Sequence, residues 1–239
     1  LKEVPLILGD LTDEQIDEFD VAVLSPGVPT DIPMVNSLRD RGVKIWGEIE
    51  LAYTFGAGEI IAITGTNGKT TTTTLVGEII KAWGKETFVV GNIGNSYTAE
   101  VLKTNKDSVT VAEISSFQLE TVHEFRPKVS AILNITPDHL NRHYTMENYA
   151  AVKERIAAKQ TKDDFIVLNY DDEVLRAFGE QTSATPVYFS RKHKVEHGTY
   201  LEGTMIKYTD GEKETDVIDV KDMLLFGAHN HENLSLIHI

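Results

Sequence analysis

The stretch Ile60-Ile61-Ala62-Ile63-Thr64-Gly65-Thr66-Asn67-Gly68-Lys69-Thr70-Thr71 constrains the fold of this chain more than any other. The apolar run Ile60 to Ile63 reads as a buried parallel strand, Gly65 and Gly68 bracket a turn, and a helix opens at Lys69. A strand, a glycine turn and a helix start in succession form a phosphate-binding element. Backbone N–H groups at the helix N-terminus face an anion, a lysine supplies a point charge for the β- and γ-phosphates, and the next hydroxyl is placed to ligate Mg²⁺. The usual spacing, G-x-x-x-x-G-K-[ST], asks for glycine at position 63, where this chain has Ile63, so the loop is a shortened variant. Gly65, Thr66, Asn67, Gly68, Lys69, Thr70 and Thr71 are therefore the expected ATP-binding residues, with Thr70 toward Mg²⁺.

Such a loop needs a sheet behind it, and 239 residues with 41% hydrophobic and 25% charged content suffice for one sizeable domain and part of another. A formal net charge of −14 argues against a nucleic-acid backbone as partner, because no basic stripe exists to neutralise phosphates along a duplex. A small polyanion held by one loop stays compatible. The absence of cysteine excludes disulfide staples and thiol catalysis. No apolar run approaches the ~20 residues that span a membrane, so no membrane partner is expected. ATP chemistry favours the cytoplasm, and a monomer is expected. Leu1 in place of Met reads as a start inside a longer protein.

Taken in order, Val4 to Leu8 and Val21 to Leu24 are short runs of strand type, with a helix-start pattern at Thr12-Asp13-Glu14-Gln15 between them. The loop Ser25-Pro26-Gly27-Val28-Pro29 follows, then a helix from Asp31-Ile32-Pro33 to Gly42, a strand Val43 to Trp46 and a helix Glu48 to Phe55. Gly56-Ala57-Gly58 marks a boundary. Residues 1–56 are expected to be a partial Rossmann-like unit and 57–239 a nucleotide-binding domain. In the second unit, strands at 60–63, 88–90, 109–112, 131–135 and 165–168 alternate with helices at 69–83, 97–103 and 147–158. The expected fold class is α/β, a parallel sheet flanked by helices, closed by a small antiparallel β meander with turns at Glu202-Gly203 and Asp210-Gly211.

Ligands in such sheets sit beyond the carboxyl ends of the strands, which is where Glu113 and Thr136-Pro137-Asp138-His139 fall. From the residues alone, Glu113 is a metal ligand or a strand-end cap, and His139 a ligand or a loop cap. Lys153, beside a core-facing stripe of Tyr149, Val152 and Ile156, reads first as an exposed helix lysine paired with Glu147 or Glu154. Asn92 is a turn residue or a substrate contact.

In chain order, Gly65 to Thr71, Asn92-Ile93-Gly94, Glu113-Ile114-Ser115-Ser116-Phe117-Gln118-Leu119-Glu120, Asp138-His139, Lys153 and His229-Asn230 with Asn233 resemble the Mur ligases of bacterial cell-wall synthesis. Their superfamily includes the folylpolyglutamate synthases. Glu113 to Glu120, the Ser25 to Pro29 loop and Glu48-Ile49-Glu50-Leu51 look like the D-glutamate-adding branch. The resemblance implies that residues 1–56 end a UDP-substrate-binding domain, that 57–239 form most of an ATPase domain, and that a further C-terminal domain is not matched. Leu234 to Ile239 depart from the family pattern.

The implied chemistry is phosphorylation by ATP of the carboxylate of UDP-N-acetylmuramoyl-L-alanine, then attack of the D-glutamate amine on the acyl phosphate. Carried over residue by residue, Lys69 binds the β/γ-phosphates, Thr70 and Glu113 one Mg²⁺, and His139 a second. Lys153 matches a lysine that the family carbamylates. Asn230 and Asn233 match adenine-side asparagines, and Ser25, Gly27, Asn92 and Ser115 lie toward the sugar-nucleotide. Two alternatives stay open: another Mur or folylpolyglutamate-type ligase, and a non-catalytic ATP-binding module, which would need the loop but not Glu113, His139 and Lys153.

Overall fold

A computed structural model describes residues 5–222; the adenine-side candidates Asn230 and Asn233 lie outside the described residues. A small N-terminal part contains α1 (Asp13–Ile16), β1 (Val21–Leu24), α2 (Pro33–Asp40) and β2 (Lys44–Gly47). Its two strands pair in parallel, Val21 opposite Lys44, over a private core of Ile16, Val35, Leu38, Val43 and Ile45. Thr12 caps α1 reciprocally with Gln15, as its helix-start pattern predicts. Residues 5–8 are not the expected strand: Leu6 and Leu8 are exposed, and among the described residues the segment joins neither sheet.

Helix α3 (Glu48–Phe55) leaves that unit and buries Ile49 and Ala52 in the core of the larger one. It is pinned by Glu50, a carboxylate only 2% exposed, which accepts hydrogen bonds from the backbone N–H groups of His123, Glu124 and Phe125 at 2.8, 2.8 and 3.2 Å.

The larger unit is one nine-stranded sheet built from β3 (Glu59–Thr64), β4 (Thr87–Gly91), β5 (Val109–Glu113), β6 (Val129–Ile132), β7 (Phe165–Asn169), β8 (Thr185–Ser190), β9 (Gly198–Glu202), β10 (Met205–Thr209) and β11 (Glu214–Asp219). Their spatial order is β11-β10-β9-β8-β7-β6-β3-β5-β4. Pairing is parallel from β4 through to β9 and antiparallel from β9 to β11. The meander is therefore an extension of the parallel sheet. The strand expected at 131–135 is displaced to Val129–Ile132, because its residues from Leu133 on turn to meet the phosphate-loop region.

Helices α4 (Lys69–Ala82), α5 (Tyr97–Glu100), α6 (Ser116–Leu119), α7 (Leu140–His143), α8 (Met146–Glu154) and α9 (Glu173–Gly179) complete the layers. Apolar cores lie on both faces of the sheet, one around Ile114, Tyr149, Ile156 and Leu168, the other around Ile63, Val76, Val111 and Phe189. Burial on both faces explains why β3 and β5 read as continuous apolar runs and not as alternating ones. The chain leaves β3 toward β4 on one side and returns to β6 on the other, so the switch point of the sheet is the carboxyl end of β3.

Candidate active site

At that end the phosphate loop, residues 65–68, joins β3 to α4. Gly65 has φ +148°, and a Cβ there would stand 2.9 Å from the Cβ of Leu133, so the loop closes on the end of β6 only with glycine. The loop is held from the β6 side by Asn134. The Asn67 N–H donates to Asn134 Oδ1 at 2.9 Å, Asn134 Nδ2 donates back to the Asn67 carbonyl at 3.1 Å, and the Thr66 N–H donates to the Asn134 carbonyl at 3.0 Å. The Thr66 hydroxyl lies 3.1 Å from the Tyr149 hydroxyl. The first N–H groups of α4 have no acceptor within the helix and open at the loop, a donor set of the kind that suits an anion.

Two ammonium groups converge on one carbonyl. Lys69 Nζ donates to the carbonyls of Gly65 and Thr66 at 3.0 and 2.9 Å, and Lys153 Nζ donates to the same Gly65 carbonyl at 2.8 Å. Lys153 is not the exposed helix lysine that its residue type suggests: it is 1% exposed, with its ammonium 4.7 Å from the centre of the Tyr149 ring. Burial first, and then the charge of Lys69, push its pKa down to about 7. The pKa of Lys69 is lowered too, by burial, against the raising influence of Glu113 and Asp138.

Glu113 ends β5 opposite Ile63 of β3 and Gly91 of β4, one residue short of the loop, and is 1% exposed. Its carboxylate accepts from the Thr70 hydroxyl and from Asn92 Nδ2, each at 2.9 Å. Gly91, at φ +104°, makes this possible: a Cβ there would lie 2.2 Å from the Glu113 carbonyl oxygen, the atom that accepts the Asn92 N–H. Asn92 thus stands over Glu113. Hydroxyl and carboxylate oxygens are hard donors of the class Mg²⁺ takes, and among the described residues no three His, Asp or Glu side chains form an all-protein metal cage. One carboxylate and one hydroxyl beside a phosphate loop suit an ion whose remaining ligands are phosphate and water.

His139 lies at the start of α7 with φ 52°, exposed, its ring 4.8 Å from that of Phe117 and its Nε2 3.4 Å from Asp138. No hydrogen bond joins it to Thr70, Glu113 or Lys153, so it belongs to the same end of the sheet without touching them. Ser115 caps α6 reciprocally with Gln118. Ser25 lines a narrow cleft with Pro26, Val28, Phe117, Gln118 and Glu120, and Gly27 is exposed in the same turn. Asn134 and Tyr149 are the contributors that sequence reasoning missed. The signal for Asn134 was its place just beyond an apolar strand on the loop's side of the sheet.

The model of the Mur ligase middle domain matches residues 63–237. The chain belongs to the Mur ligase family. A UDP-N-acetylmuramoylalanine--D-glutamate ligase of Lachnospira eligens is 60% identical over 229 residues, 96% of this chain and 51% of that protein. Its namesake in Lachnoclostridium phytofermentans is 56% identical over 96% of this chain and 50% of its own length. The chain thus spans about half the length of these curated relatives. Among solved structures, a UDP-N-acetylmuramoyl-L-alanyl-D-glutamate--2,6-diaminopimelate ligase superposes with TM-score 0.63 at 19% identity, over 91% of this chain and 55% of that one. The MurF ligase of Thermotoga maritima, solved in complex with ADP, gives 0.56 at 14% identity over 95% and 63%. At these identities the structural likeness establishes the fold. Among the described residues no helix is long and apolar enough to cross a membrane.

Proposed function

We propose that the chain carries the ATP site and the central catalytic groups of an ATP-dependent ligase that adds D-glutamate to UDP-N-acetylmuramoyl-L-alanine. The observation that carries this reading is the convergence of Lys69 and Lys153 on the Gly65 carbonyl beside a buried Glu113. A nucleotide-binding module would need the loop and Lys69 alone. The name shared by relatives up to 60% identical supports the choice of acceptor and amine. On this reading residues 1–56 belong to the UDP-substrate side and 57–239 to the ATPase side, and the protein works as a cytoplasmic monomer.

In the reaction the acceptor carboxylate attacks the γ-phosphorus of ATP, and ADP leaves. The D-glutamate amine then attacks the acyl phosphate, giving the amide and inorganic phosphate. Positioning and charge neutralisation supply most of the acceleration in such transfers. Gly65 to Thr71 cradle the phosphates, Lys69 places its charge on the β/γ-phosphates, and Asn92 and Ser115 orient the acceptor with the Ser25–Gly27 turn. Thr70 and Glu113 would hold a Mg²⁺ ion, and His139 with Lys153 a second. The chemistry such ions supply is charge neutralisation at the transferring phosphoryl group.

Lys153 fits that task as a carbamate. Its amine, largely neutral above pH 7 because of burial, attacks carbon dioxide: a C–N bond forms, the nitrogen gives up one proton to solvent, and the neutral amine becomes a carbamate anion. Intact-mass measurement in bicarbonate should show the addition of one carbon dioxide, lost in Lys153→Met.

The deciding experiment is phosphate release by the intact protein with ATP, Mg²⁺, the UDP-linked acceptor and D-glutamate. Turnover requiring both co-substrates and lost in Lys69→Ala is the expected result. Nucleotide binding without turnover by a folded protein would favour the binding-module alternative.

A further inference from the structure

The small N-terminal part and the large sheet meet at a turn of which the proposed chemistry uses only His139. Helix α7 is four residues long, and both flanking residues, His139 at φ 52° and Tyr144 at φ 68°, adopt positive φ without being glycine. Non-glycine residues rarely do so, and tertiary contacts must hold them there. Those contacts reach in two directions. Toward the N-terminal part, Arg142 Nη2 donates to the Val28 carbonyl at 2.9 Å and the Tyr144 hydroxyl donates to Asp31 Oδ2 at 2.7 Å. Toward the loop end of the sheet, His143 Nε2 lies 3.0 Å from the Ser116 hydroxyl, and its ring sits 5.3 Å from that of Tyr149, whose hydroxyl meets Thr66.

Arg142 is the centre of this arrangement. Its Nε and Nη2 grip the two oxygens of Glu120 at 3.0 and 2.5 Å, and the planar guanidinium stacks on Phe117 with 5.2 Å between its carbon and the ring centre. The other side of that pairing is the Val28 carbonyl, and Val28 closes the turn from Ser25 through its N–H on the Ser25 carbonyl at 2.9 Å. Both members of the pair are largely buried, at 14% and 10% side-chain exposure, which makes the geometry well defined and weakly screened. A guanidinium can serve two carboxylate oxygens and a carbonyl at once. An ammonium cannot.

We propose that Arg142, oriented by Glu120, is a positioning residue that fixes the Ser25–Val28 turn, and with it the acid substrate, relative to the phosphate loop. The inference rests on the ligase reading above. It touches neither the loop nor Glu113, so its effect falls on the acceptor and not on the nucleotide.

The test is steady-state kinetics of the intact protein and its Arg142→Met, Arg142→Lys and Tyr144→Phe variants, with melting curves to establish folding. Arg142→Met should raise KM for the UDP-linked acceptor by about tenfold or more, while KM for ATP stays within about twofold. Arg142→Lys should fall between the two, and Tyr144→Phe should give a smaller rise in the same direction. If Arg142→Met does not fold, the lysine variant decides. Equal rises in both KM values, or an unmoved acceptor KM in a folded and active variant, would overturn the proposal alone. A wild-type protein that folds but does not turn over ATP with the acceptor would overturn the ligase reading and this inference with it.

Discussion

Glu50 and Glu113 are both exposed by 2% or less, yet they are built for opposite ends. Glu50 is satisfied by three backbone N–H groups of residues 123–125, which cannot turn away without unfolding the connection between α6 and β6. Glu113 is satisfied by two side chains, Thr70 and Asn92, both on exposed residues. A carboxylate held by backbone donors is a fastener. One held by rotatable side chains can exchange partners when a charged ligand arrives, and that distinction separates the scaffold from the site more sharply than burial does.

The largest expected effect is on catalysis. Glu113→Ala should lower kcat/KM of the proposed ligation by about a thousandfold, roughly 4 kcal/mol, the scale of removing a charge-organising group from a phosphoryl-transfer site. Its melting temperature should stay within a few degrees of wild type, because Thr70 and Asn92 regain water. Calorimetry showing a collapse of the fold would erase the contrast with Glu50.

Next in size is the complement. Glu50→Ala leaves three N–H groups without their acceptor, that of Phe125 buried, and should cost about 3 kcal/mol of stability in urea titrations, while kcat per folded molecule is unchanged. A catalytic defect in the fully folded fraction would mean that the 122–125 connection takes part in the site.

Lys153 sharpens the comparison from the cationic side, as a buried charge with one carbonyl and one ring face as company. Its folded pKa is lowered to about 7 from an ordinary lysine's 10.5, so the unfolded chain binds more protons between those values. This group therefore costs the most stability below pH 7, and the cost is relieved as pH rises toward 10.5. In carbon-dioxide-free buffer its contribution should rise by about 2 kcal/mol between about pH 7 and pH 9, and Lys153→Met should abolish that slope. Identical pH profiles for the two proteins would show that the amine is better solvated than its burial implies.

The parts of the site set by local pattern were legible in the sequence. The switch from strand to helix period across Gly65 and Gly68 announced the loop, and Glu113 was exposed to view as the first acidic residue after an apolar strand. Lys153 was visible by resemblance only, since its helix position beside Val152 gives no hint that Tyr149 and the Gly65 carbonyl enclose it. Arg142 was not visible at all. Its contact with Val28 spans 114 positions, and nothing local to a Leu-Asn-Arg-His turn records it. The misplaced strand at 131–135 has the same origin: the apolar run continues through Ile135, but Asp172 captures the Ile135 N–H at 3.0 Å and Asn134 turns to the loop.

The smallest effect belongs to Asn134, which shapes the loop as Glu50 shapes the 122–125 connection, but from an exchangeable side chain. Asn134→Ala removes one acceptor and one donor from Asn67 while leaving the backbone bond from the Thr66 N–H in place. At this exposed position the two bonds lost are worth about 0.5 to 1 kcal/mol each, so ATP affinity should weaken by about 1 to 2 kcal/mol, roughly fivefold to thirtyfold. Titration calorimetry with a non-hydrolysable ATP analogue and Mg²⁺ would measure it. Asn134→Asp separates shape from charge: it keeps an acceptor for the Asn67 N–H but adds an anion beside the phosphates, so its affinity should fall below that of the alanine variant. If aspartate binds as well as asparagine, the phosphates do not lie against this side of the loop.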